Sequence, residues 1–289
     1  MKRNKFNLSY EKKMSANFAD LIPFYMEETV PGDKFSVKSE MLVRLAPMLA
    51  PIMHRVNVAT HYWFVPNRIV WDGWKDFITG GERGDNESII PRVNMNLANI
   101  AQFQKGSLAD YFGLPIVPAT TNQGIYVNAM PFRAYQMIYN EWYRNQNLQD
   151  PLVFSTGDDA LADQAVLTQI RTRNWEKDYF TSALPWAQKG DPVSVPINLD
   201  YREPAEFRTT PGGNLTGPGG IESISDGRAS HETEGMISID NIDPDTSGIN
   251  LEDLRIATRL QEWKEKNARA GSRYVEAILS HFNERVPDY

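Results

Sequence analysis

Few residues in this chain could perform acid–base or metal chemistry. Among its 289 residues there are four histidines and no cysteine, which excludes disulfides, thiolate metal sites and cysteine nucleophiles. The histidines are His54, His61, His231 and His281, and no two of them have the i, i+4 spacing of metal ligands. For His61, next to Tyr62 and Trp63, the pattern favours a packed or hydrogen-bonded role over catalysis. The sequence therefore predicts no metal site and no catalytic histidine.

Carboxylates and glycines also lack the patterns of an enzyme. The acids of the pairs Asp158–Asp159 and Glu252–Asp253 are adjacent, whereas a glycosidase needs two acids across a cleft. Each pair is typical of the start of a helix, where negative charge is favourable. The glycine-rich stretch 209–220 has neither the Lys-Ser/Thr pair of a P-loop nor a strand-to-helix context, and no G-x-S-x-G sequence occurs. We expect no enzymatic activity and no cofactor.

A basic N-terminal arm is the first candidate binding feature. Five cations against Glu11 give residues 1–13 a net charge of +4, whereas the whole chain carries −7, so the remainder carries −11. Aromatic residues from Phe6 to Tyr25 are interleaved with the cations or follow them, and such rings can stack on the bases of a single strand while cations meet phosphates. Two alternatives stay open, a solvated terminus and packing against a neighbouring subunit. The candidate nucleic-acid-binding residues are Lys2, Arg3, Lys5, Lys12 and Lys13.

An aromatic run between Arg173 and Asp191 is the second candidate binding feature. Four large rings fall within twelve residues and Pro185 interrupts them. Large aromatic side chains with a polar edge dominate the buried centres of protein–protein contacts, so this run indicates packing or assembly. The candidate subunit-contact residues are Trp175, Tyr179, Phe180 and Trp186.

Two alternating segments and several helices must position these residues. Residues 35–45 and 53–65 alternate apolar and polar side chains with the period of a half-buried strand, and Pro66 ends the second segment. The pattern predicts one or two short helices within 96–112, a helix over 133–150 and a shorter one over 158–170. Residues 193–199 alternate, but Pro196 limits them to an edge strand or an extended loop. Near the end, Asn250 caps a helix over 251–270, Gly271 interrupts it, and Ser272 caps a second helix that ends near Pro287.

The domain organisation follows from these elements. No stretch approaches about 18 consecutive apolar residues, so no transmembrane helix is expected. Long strands with long helix- and loop-bearing connections favour a mainly β fold, a single β-sandwich of the jelly-roll type. We expect an arm over 1–32 and one domain over 33–289, in which 209–248 form an exposed flexible loop.

Three segments, in this order, resemble blocks of the major capsid proteins of microviruses (Microviridae, gokushovirus-like). They are RAYQMIYNEWYRNQNLQDP at 133–151, RNWEKDYFTSALPWAQKGDPV at 173–193, and the stretch from INLEDLRIATRL to the last residue, 249–289. Residues 7–33 are similar to the start of that family. These viruses are small icosahedral bacteriophages with single-stranded DNA.

The resemblance implies a structural role. The family builds a T=1-like icosahedral shell of sixty jelly-roll subunits, with pentamers as parts of the shell, around a circular single-stranded DNA genome. It implies a virion protein that assembles in the host cytoplasm with other virion proteins and no membrane. The family's chains usually run beyond the point where this one stops, and only about four strands are evident where a jelly roll needs eight. Three explanations stay open: a truncated product, a second polypeptide that supplies the C-terminal half, and a short family member.

Two other classes of function stay open from the residues alone. A β-sandwich carbohydrate-binding or lytic protein would need tryptophans such as Trp71 and Trp74 on one exposed platform. A single-strand DNA-binding module would need basic residues beyond the arm, and the net charge of −7 argues against it.

Overall fold

The computed structural model describes residues 4–85, 88–116, 124–195 and 251–286, together with two short strands within 208–216. The chain forms two compact units, Met1–Ser182 and Ala183–Tyr289. The helices of the first unit are α1 (Asn67–Val70), α2 (Trp74–Thr79), α3 (Leu108–Phe112), α4 (Met130–Ile138) and α5 (Gln164–Leu167). Its strands β1 (Arg92–Met95) and β2 (Ile125–Asn128) pair antiparallel, with Val93 opposite Val127. The second unit holds β3 (Arg208–Thr209) paired with β4 (Leu215–Thr216), α6 (Leu251–Ala270) and α7 (Tyr274–Phe282).

The core of the first unit lies between β1 and the short helices around it. Its fully buried side chains come from β1, α3, α4, α5, the 3₁₀-helix Leu97–Phe103 and two alanines outside these elements. Gln164 of α5 closes the outer edge of β1: its Oε1 accepts from the Asn94 N–H at 2.7 Å and its Nε2 donates to the Asn94 carbonyl at 2.8 Å. A side-chain amide thus takes the place of a further strand, which leaves the buried edge satisfied. The core residues are Val93, Met95, Phe103, Leu108, Ala109, Ala129, Phe132, Ala160 and Leu167.

The first unit confirms two predicted helical regions in part. Residues 96–112 contain the expected two short helices, which begin after the capping side chains of Asn96 and Ser107. The helix predicted over 133–150 is observed as α4 and a π-helical turn, Tyr139–Tyr143, but its last third is wrong. Arg144 is extended, and Asn145 starts a hydrogen-bonded turn because its carbonyl accepts from Leu148 and Gln149.

The helix predicted over 158–170 is wrong except for the single turn of α5. Asp158 and Asp159 do not start a helix, because both are used in other contacts. The Asp158 carboxylate accepts from the Trp71 indole at 2.7 Å. The Asp159 carbonyl accepts from Arg133 at 3.3 Å, while its carboxylate accepts from the Leu161 N–H at 2.8 Å. These tertiary contacts outweigh the weak local preference for a helix.

The alternating segments 35–45 and 53–65 are not half-buried strands here, which corrects the expectation. Every residue from 26 to 59 is exposed, with Leu42 at 99%, and neither segment belongs to a β-ladder among the described residues. A strand needs a paired neighbour and a covered face, and the described part of this chain supplies neither. The two segments do approach each other, because the Tyr62 hydroxyl donates to Ser39 Oγ at 2.8 Å. We call residues 26–59 the exposed excursion.

The second unit confirms the two predicted C-terminal helices. Gly271 separates α6 from α7 with φ of 102°, a left-handed conformation that favours glycine. The residue that caps α7 is Arg273, whose N–H donates to Glu276 at 3.2 Å, and not Ser272, whose Oγ accepts from Lys189 at 3.0 Å. Asn250, Pro287 and most of the segments 193–199 and 209–248 lie outside the described residues. No helix in the described part of the chain is both long and apolar enough to cross a membrane.

Candidate assembly and nucleic-acid surfaces

The arm does not extend freely from the first unit beyond Tyr10. Two backbone bonds, Leu21 N to Arg171 O at 2.9 Å and Arg173 N to Ala19 O at 2.8 Å, align residues 19–21 with 171–173 as an isolated antiparallel bridge. Tyrosine hydroxyls reach the arm from the helices. Tyr135 donates to the Leu21 carbonyl at 3.0 Å, and Tyr111 donates to that of Ser15 at 2.6 Å. Residues 10–25 are therefore a strap across α3 and α4.

The Tyr135 hydroxyl joins the strap to residue 171 through two hydrogen bonds. It donates to Leu21 and also accepts from the Arg171 N–H at 2.8 Å. Burial raises the pKa of Tyr135 to about 12, since the charged phenolate would lose its hydration. The hydroxyl therefore stays protonated and keeps its bond to the strap at any physiological pH.

The three described lysines of the candidate nucleic-acid set differ in their surroundings. All three residues are exposed. The Lys12 ammonium also donates to the backbone carbonyls of Tyr111 and Pro23, the latter at 3.3 Å. Burial lowers the pKa of Lys12. Lys2 and Arg3 lie outside the described residues.

The strap also borders a cleft. Its walls are Pro23, Phe24, Tyr25, Met26 and Phe112, and it has a volume of about 280 Å³. The rings of Tyr10 and Tyr25 lie nearly parallel at its edge with centroids 6.1 Å apart. Lys12, Tyr10 and Tyr111 also line the cleft, so its wall is partly polar. We call it the strap cleft.

The aromatic run presents its rings to solvent. Trp175, Tyr179 and Phe180 are between 76% and 89% exposed. Trp186, in the second unit, is also exposed. None of these four rings belongs to the buried core of its own unit, as expected of residues that contact another molecule.

A hydrogen-bonded turn fixes two of these rings. The Asp178 carboxylate accepts from the N–H groups of Phe180 at 2.9 Å and Thr181 at 2.7 Å. The Asp178 N–H donates to the Thr181 hydroxyl at 2.8 Å. The bonds from the Thr181 N–H and hydroxyl, with that from Phe180, lower the pKa of Asp178. Sequence reasoning overlooked Asp178, although an Asp three residues before a Thr is a recognisable turn signal.

The tryptophan platform that a carbohydrate-binding protein would need is absent at the positions named for it. Trp71 is 0% exposed, and its indole N–H donates to Asp158. Trp71 packs with Trp74 and Phe77 as one aromatic cluster, with ring centroids 5.4 to 6.2 Å apart. Trp71 is therefore a core residue and not part of a binding surface.

Histidines and acids form no reactive group where the structure describes them. The His61 ring lies 2.5 Å from the Tyr143 hydroxyl and stacks on that ring, which agrees with the hydrogen-bonded role expected of it. His281 lies 2.6 Å from the Asn267 side chain, and His231 lies outside the described residues. Within those residues, no three His, Asp or Glu side chains come together as metal ligands.

One buried cation was missed by sequence reasoning. Arg133 is fully buried in α4, and its guanidinium donates to the carbonyls of Val70 at 3.2 Å, Gly157 at 2.7 Å and Asp159 at 3.3 Å. Burial lowers the pKa of Arg133, although Asp163 and three further aspartates oppose that effect. Arg133 thus ties α4 to the end of α1 and to the loop around residues 157–159, and it is structural.

Comparison with known proteins identifies the family of this chain. All of residues 1–289 match the model of the family described as "Capsid protein (F protein)". The chain is 34% identical over 308 residues to capsid protein VP1 of Bdellovibrio phage phiMH2K, 31% over 373 residues to that of Chlamydia phage 1, and 32% over 321 residues to that of Spiroplasma virus 4. These alignments cover 97%, 100% and 99% of the chain but 55%, 60% and 57% of the relatives. The chain therefore spans somewhat over half the length of these relatives.

The matches confirm the resemblance to microvirus capsid proteins, and they cover the regions before residue 133 as well as the three blocks. They also confirm the mainly β fold class, since the fold of this family is the jelly roll. The chain belongs to the capsid protein (F protein) family.

Proposed function

We propose that this chain is a structural subunit of a virion, part of a T=1-like icosahedral shell of about sixty copies around a circular single-stranded DNA genome. The role requires no catalysis, no cofactor and no membrane. Assembly in the host cytoplasm, with other virion proteins, belongs to the same proposal. Support comes from relatives that are named capsid protein VP1 and match nearly the whole chain.

The observation that carries this proposal is the large number of apolar side chains that the first unit exposes to solvent. The exposed excursion includes Phe35, Leu42, Met53 and other large apolar residues, yet the same unit buries its core fully. A protein that works alone rarely exposes so many large apolar side chains along one segment, because their burial is favourable by about 25 cal/mol per Å². A shell subunit buries such surface against other polypeptides.

The exposed excursion also bears on how the jelly roll is completed. We propose that the alternating segments 35–45 and 53–65, of which the second continues beyond the excursion to Val65, become half-buried strands by pairing with polypeptide that this chain does not contain. Their period-two pattern suits such pairing, and an unpaired alternating segment is otherwise an aggregation hazard. Amide hydrogen exchange of residues 35–45 should be fast in the isolated chain and slow in assembled particles. Equal exchange rates in the two states would contradict the pairing.

The DNA contact is assigned to the arm. Lys5 and Lys13 are exposed beside the exposed rings of Phe6 and Tyr10, which suits contact with phosphates and stacking on bases. We place Lys2 and Arg3 in the same contact on their charge alone. We leave Lys12 out of the DNA contact, because its ammonium already donates to two backbone carbonyls.

Size-exclusion chromatography and negative-stain electron microscopy of the expressed chain, with and without its virion partners, test the proposal. Closed particles or pentamers are expected. A well-behaved monomer that turns over a substrate and never forms closed particles would refute the structural role. The carbohydrate-binding alternative gains no support, because Trp71 is buried.

A further inference from the structure

The helix α6 presents large apolar side chains to solvent. Ile256, Leu260 and Trp263 have the i, i+4, i+7 spacing of a single helix face, and they are 59%, 41% and 54% exposed. The Trp263 ring contacts that of His281 at the end of α7, with centroids 6.2 Å apart. The three apolar residues therefore form one exposed surface, which we call the α6 stripe.

The side of α6 that contacts its own unit is polar or small. Gln261 donates to the side chain of Gln188, and Lys264 donates to the Asp191 carbonyl at 2.5 Å. Ala268, on the same side, is buried. An amphipathic helix normally buries its apolar stripe, so this arrangement indicates that another molecule covers the α6 stripe.

The α6 stripe is complementary to itself in an antiparallel pair of helices. Its residues are spaced by four and then by three positions, so reversing one helix sets Ile256 of each copy against Trp263 of the other. The two Leu260 side chains then lie next to each other at the centre. Each contact thus occurs twice about a two-fold axis, as in an interface that uses the same surface of both copies.

The charges that flank the α6 stripe favour the same antiparallel orientation. Glu252 and Lys266 are exposed on one flank, and in this register each Glu252 lies level with Lys266 of the other copy. On the other flank, Asp253 lies within about 3 Å of the level of Lys264 of the other copy. A parallel pair would instead set like charges together, which is unfavourable.

One like-charged contact remains near the two-fold axis. Arg259 lies on the flank of Glu252, close to the centre of the stripe, and would face Arg259 of the other copy. Its guanidinium already pairs with Glu262 of the same helix at 2.9 Å. This ion pair reduces the repulsion between the two Arg259 side chains.

We propose that α6 of one copy packs antiparallel against α6 of a second copy through the α6 stripe. A T=1-like icosahedral shell has a two-fold axis beside every subunit, so each subunit needs a surface that contacts itself. This inference rests on the proposed shell function and assigns that contact to α6. One helix pair buries less than the roughly 800 Å² per partner of a stable dimer, so we expect weak association of isolated copies and stronger association within a shell.

Engineered cysteines test this contact directly, because the chain has no cysteine of its own. The full chain with Arg259→Cys is treated with a short bismaleimide linker. A linked dimer is expected, because the two copies of residue 259 lie nearly level beside the two-fold axis. The control is Arg255→Cys, an exposed arginine of the same helix whose two copies would lie about 13 Å apart along the axis, too far for the linker.

A second measurement reverses charges without crosslinking. Sedimentation velocity over a concentration series should show self-association weakened about 10-fold by Glu252→Lys or by Lys266→Glu, because each reversal turns two attractive pairs into repulsive ones. The double variant should recover the parent affinity. Trp263→Ala should weaken association about 30-fold, as is usual for a central aromatic anchor.

The double variant also separates the contact from the stability of α6 itself. It places a cation in the first turn and an anion near the last turn, where the helix dipole makes both unfavourable. An effect on the helix alone would therefore be largest in the double variant, whereas an effect on the contact is cancelled there. Far-UV circular dichroism of each variant measures the helix content independently.

The outcomes separate this inference from the shell function. Closed particles with equal linking at residues 255 and 259, with no linking at 259, or without recovery in the double variant would overturn the α6 contact and leave the shell role standing. Specific linking and recovery without closed particles would support the contact and remove the shell role. Neither specific linking nor closed particles would overturn both.

Discussion

Two neighbouring lysines, Lys12 and Lys13, should respond differently when each is replaced by alanine. Both substitutions remove one positive charge at nearly the same point of the chain, so long-range attraction to DNA falls equally in the two variants. Both residues are exposed, but the Lys12 ammonium donates to the carbonyls of Pro23 and Tyr111. We expect Lys13→Ala to remove a phosphate contact and Lys12→Ala to remove none.

The size of this difference follows from counterion release. For single-stranded DNA, the logarithm of the binding constant falls with the logarithm of the salt concentration with a slope of about 0.7 per phosphate contact. Loss of the Lys13 contact should therefore reduce the slope by about 0.7. Between 50 and 200 mM salt, the affinity of Lys13→Ala should thus fall by a factor about 2.6 smaller than that of the parent chain. Lys12→Ala should keep the parent slope and instead lower the free energy of unfolding by about 1 kcal/mol, because two carbonyls lose their donor.

Fluorescence anisotropy of a labelled single-stranded oligonucleotide over a salt series measures both slopes. Lys5→Ala serves as a further comparison, since Lys5 is exposed and should behave like Lys13. Equal slopes for Lys12→Ala and Lys13→Ala would refute the reasoning, because the strap would then have no influence on which cation meets DNA. An unchanged slope in all three variants would remove the arm from the DNA contact.

Three further substitutions test the hydrogen bonds of Arg133 and Tyr135 and the exposed ring of Trp175. Arg133→Met should lower the free energy of unfolding in urea by about 3–5 kcal/mol, because three carbonyls lose a charged donor, whereas exposed Arg83→Met should change it by less than about 0.5 kcal/mol. Tyr135→Phe should cost about 1–3 kcal/mol and speed hydrogen exchange at Leu21, and unchanged exchange there would show that the strap does not depend on this hydroxyl. Trp175→Ala should reduce assembly and change unfolding by less than about 0.5 kcal/mol, whereas a loss of about 3–5 kcal/mol would show that the ring is buried in its own subunit.

The elements that sequence predicted well are those whose stability is local. For α6 and α7, the 3.6-residue period, the acidic first turn and Gly271 all lie within the segment itself. The predicted helix over 158–170 failed for the opposite reason. Asp158 is an acceptor for Trp71, which is 87 residues away, and no local pattern contains that contact. The role of Arg133 is hidden for the same reason, since its carbonyl partners lie between 24 and 63 residues away and its own segment has the pattern of an amphipathic helix.

Residue type alone also could not distinguish two candidate residues of the same type, such as two lysines or two tryptophans. Lys12 and Lys13 are adjacent and identical, yet only the fold of residues 10–25 against α3 places one ammonium on carbonyls. Trp71 and Trp175 likewise differ only in what surrounds them, and one is a core residue while the other is exposed. Sequence therefore indicates candidate regions, while the surroundings of each residue within a region depend on tertiary contacts.

The two exposed apolar features of the first unit differ in what a partner must supply. The turn that bears Tyr179 and Phe180 is already ordered by Asp178, so a partner needs to supply only an apolar surface. The exposed excursion lacks a ladder among the described residues, so a partner must supply backbone donors and acceptors along both alternating segments. Fixing backbone costs about 1–2 kcal/mol per residue, and this cost must be offset by many ladder bonds and covered side chains at once. We expect contact through this turn to form first, because it orders few residues. Pairing along the excursion would then take place between chains that are already held together, which lowers its entropic cost.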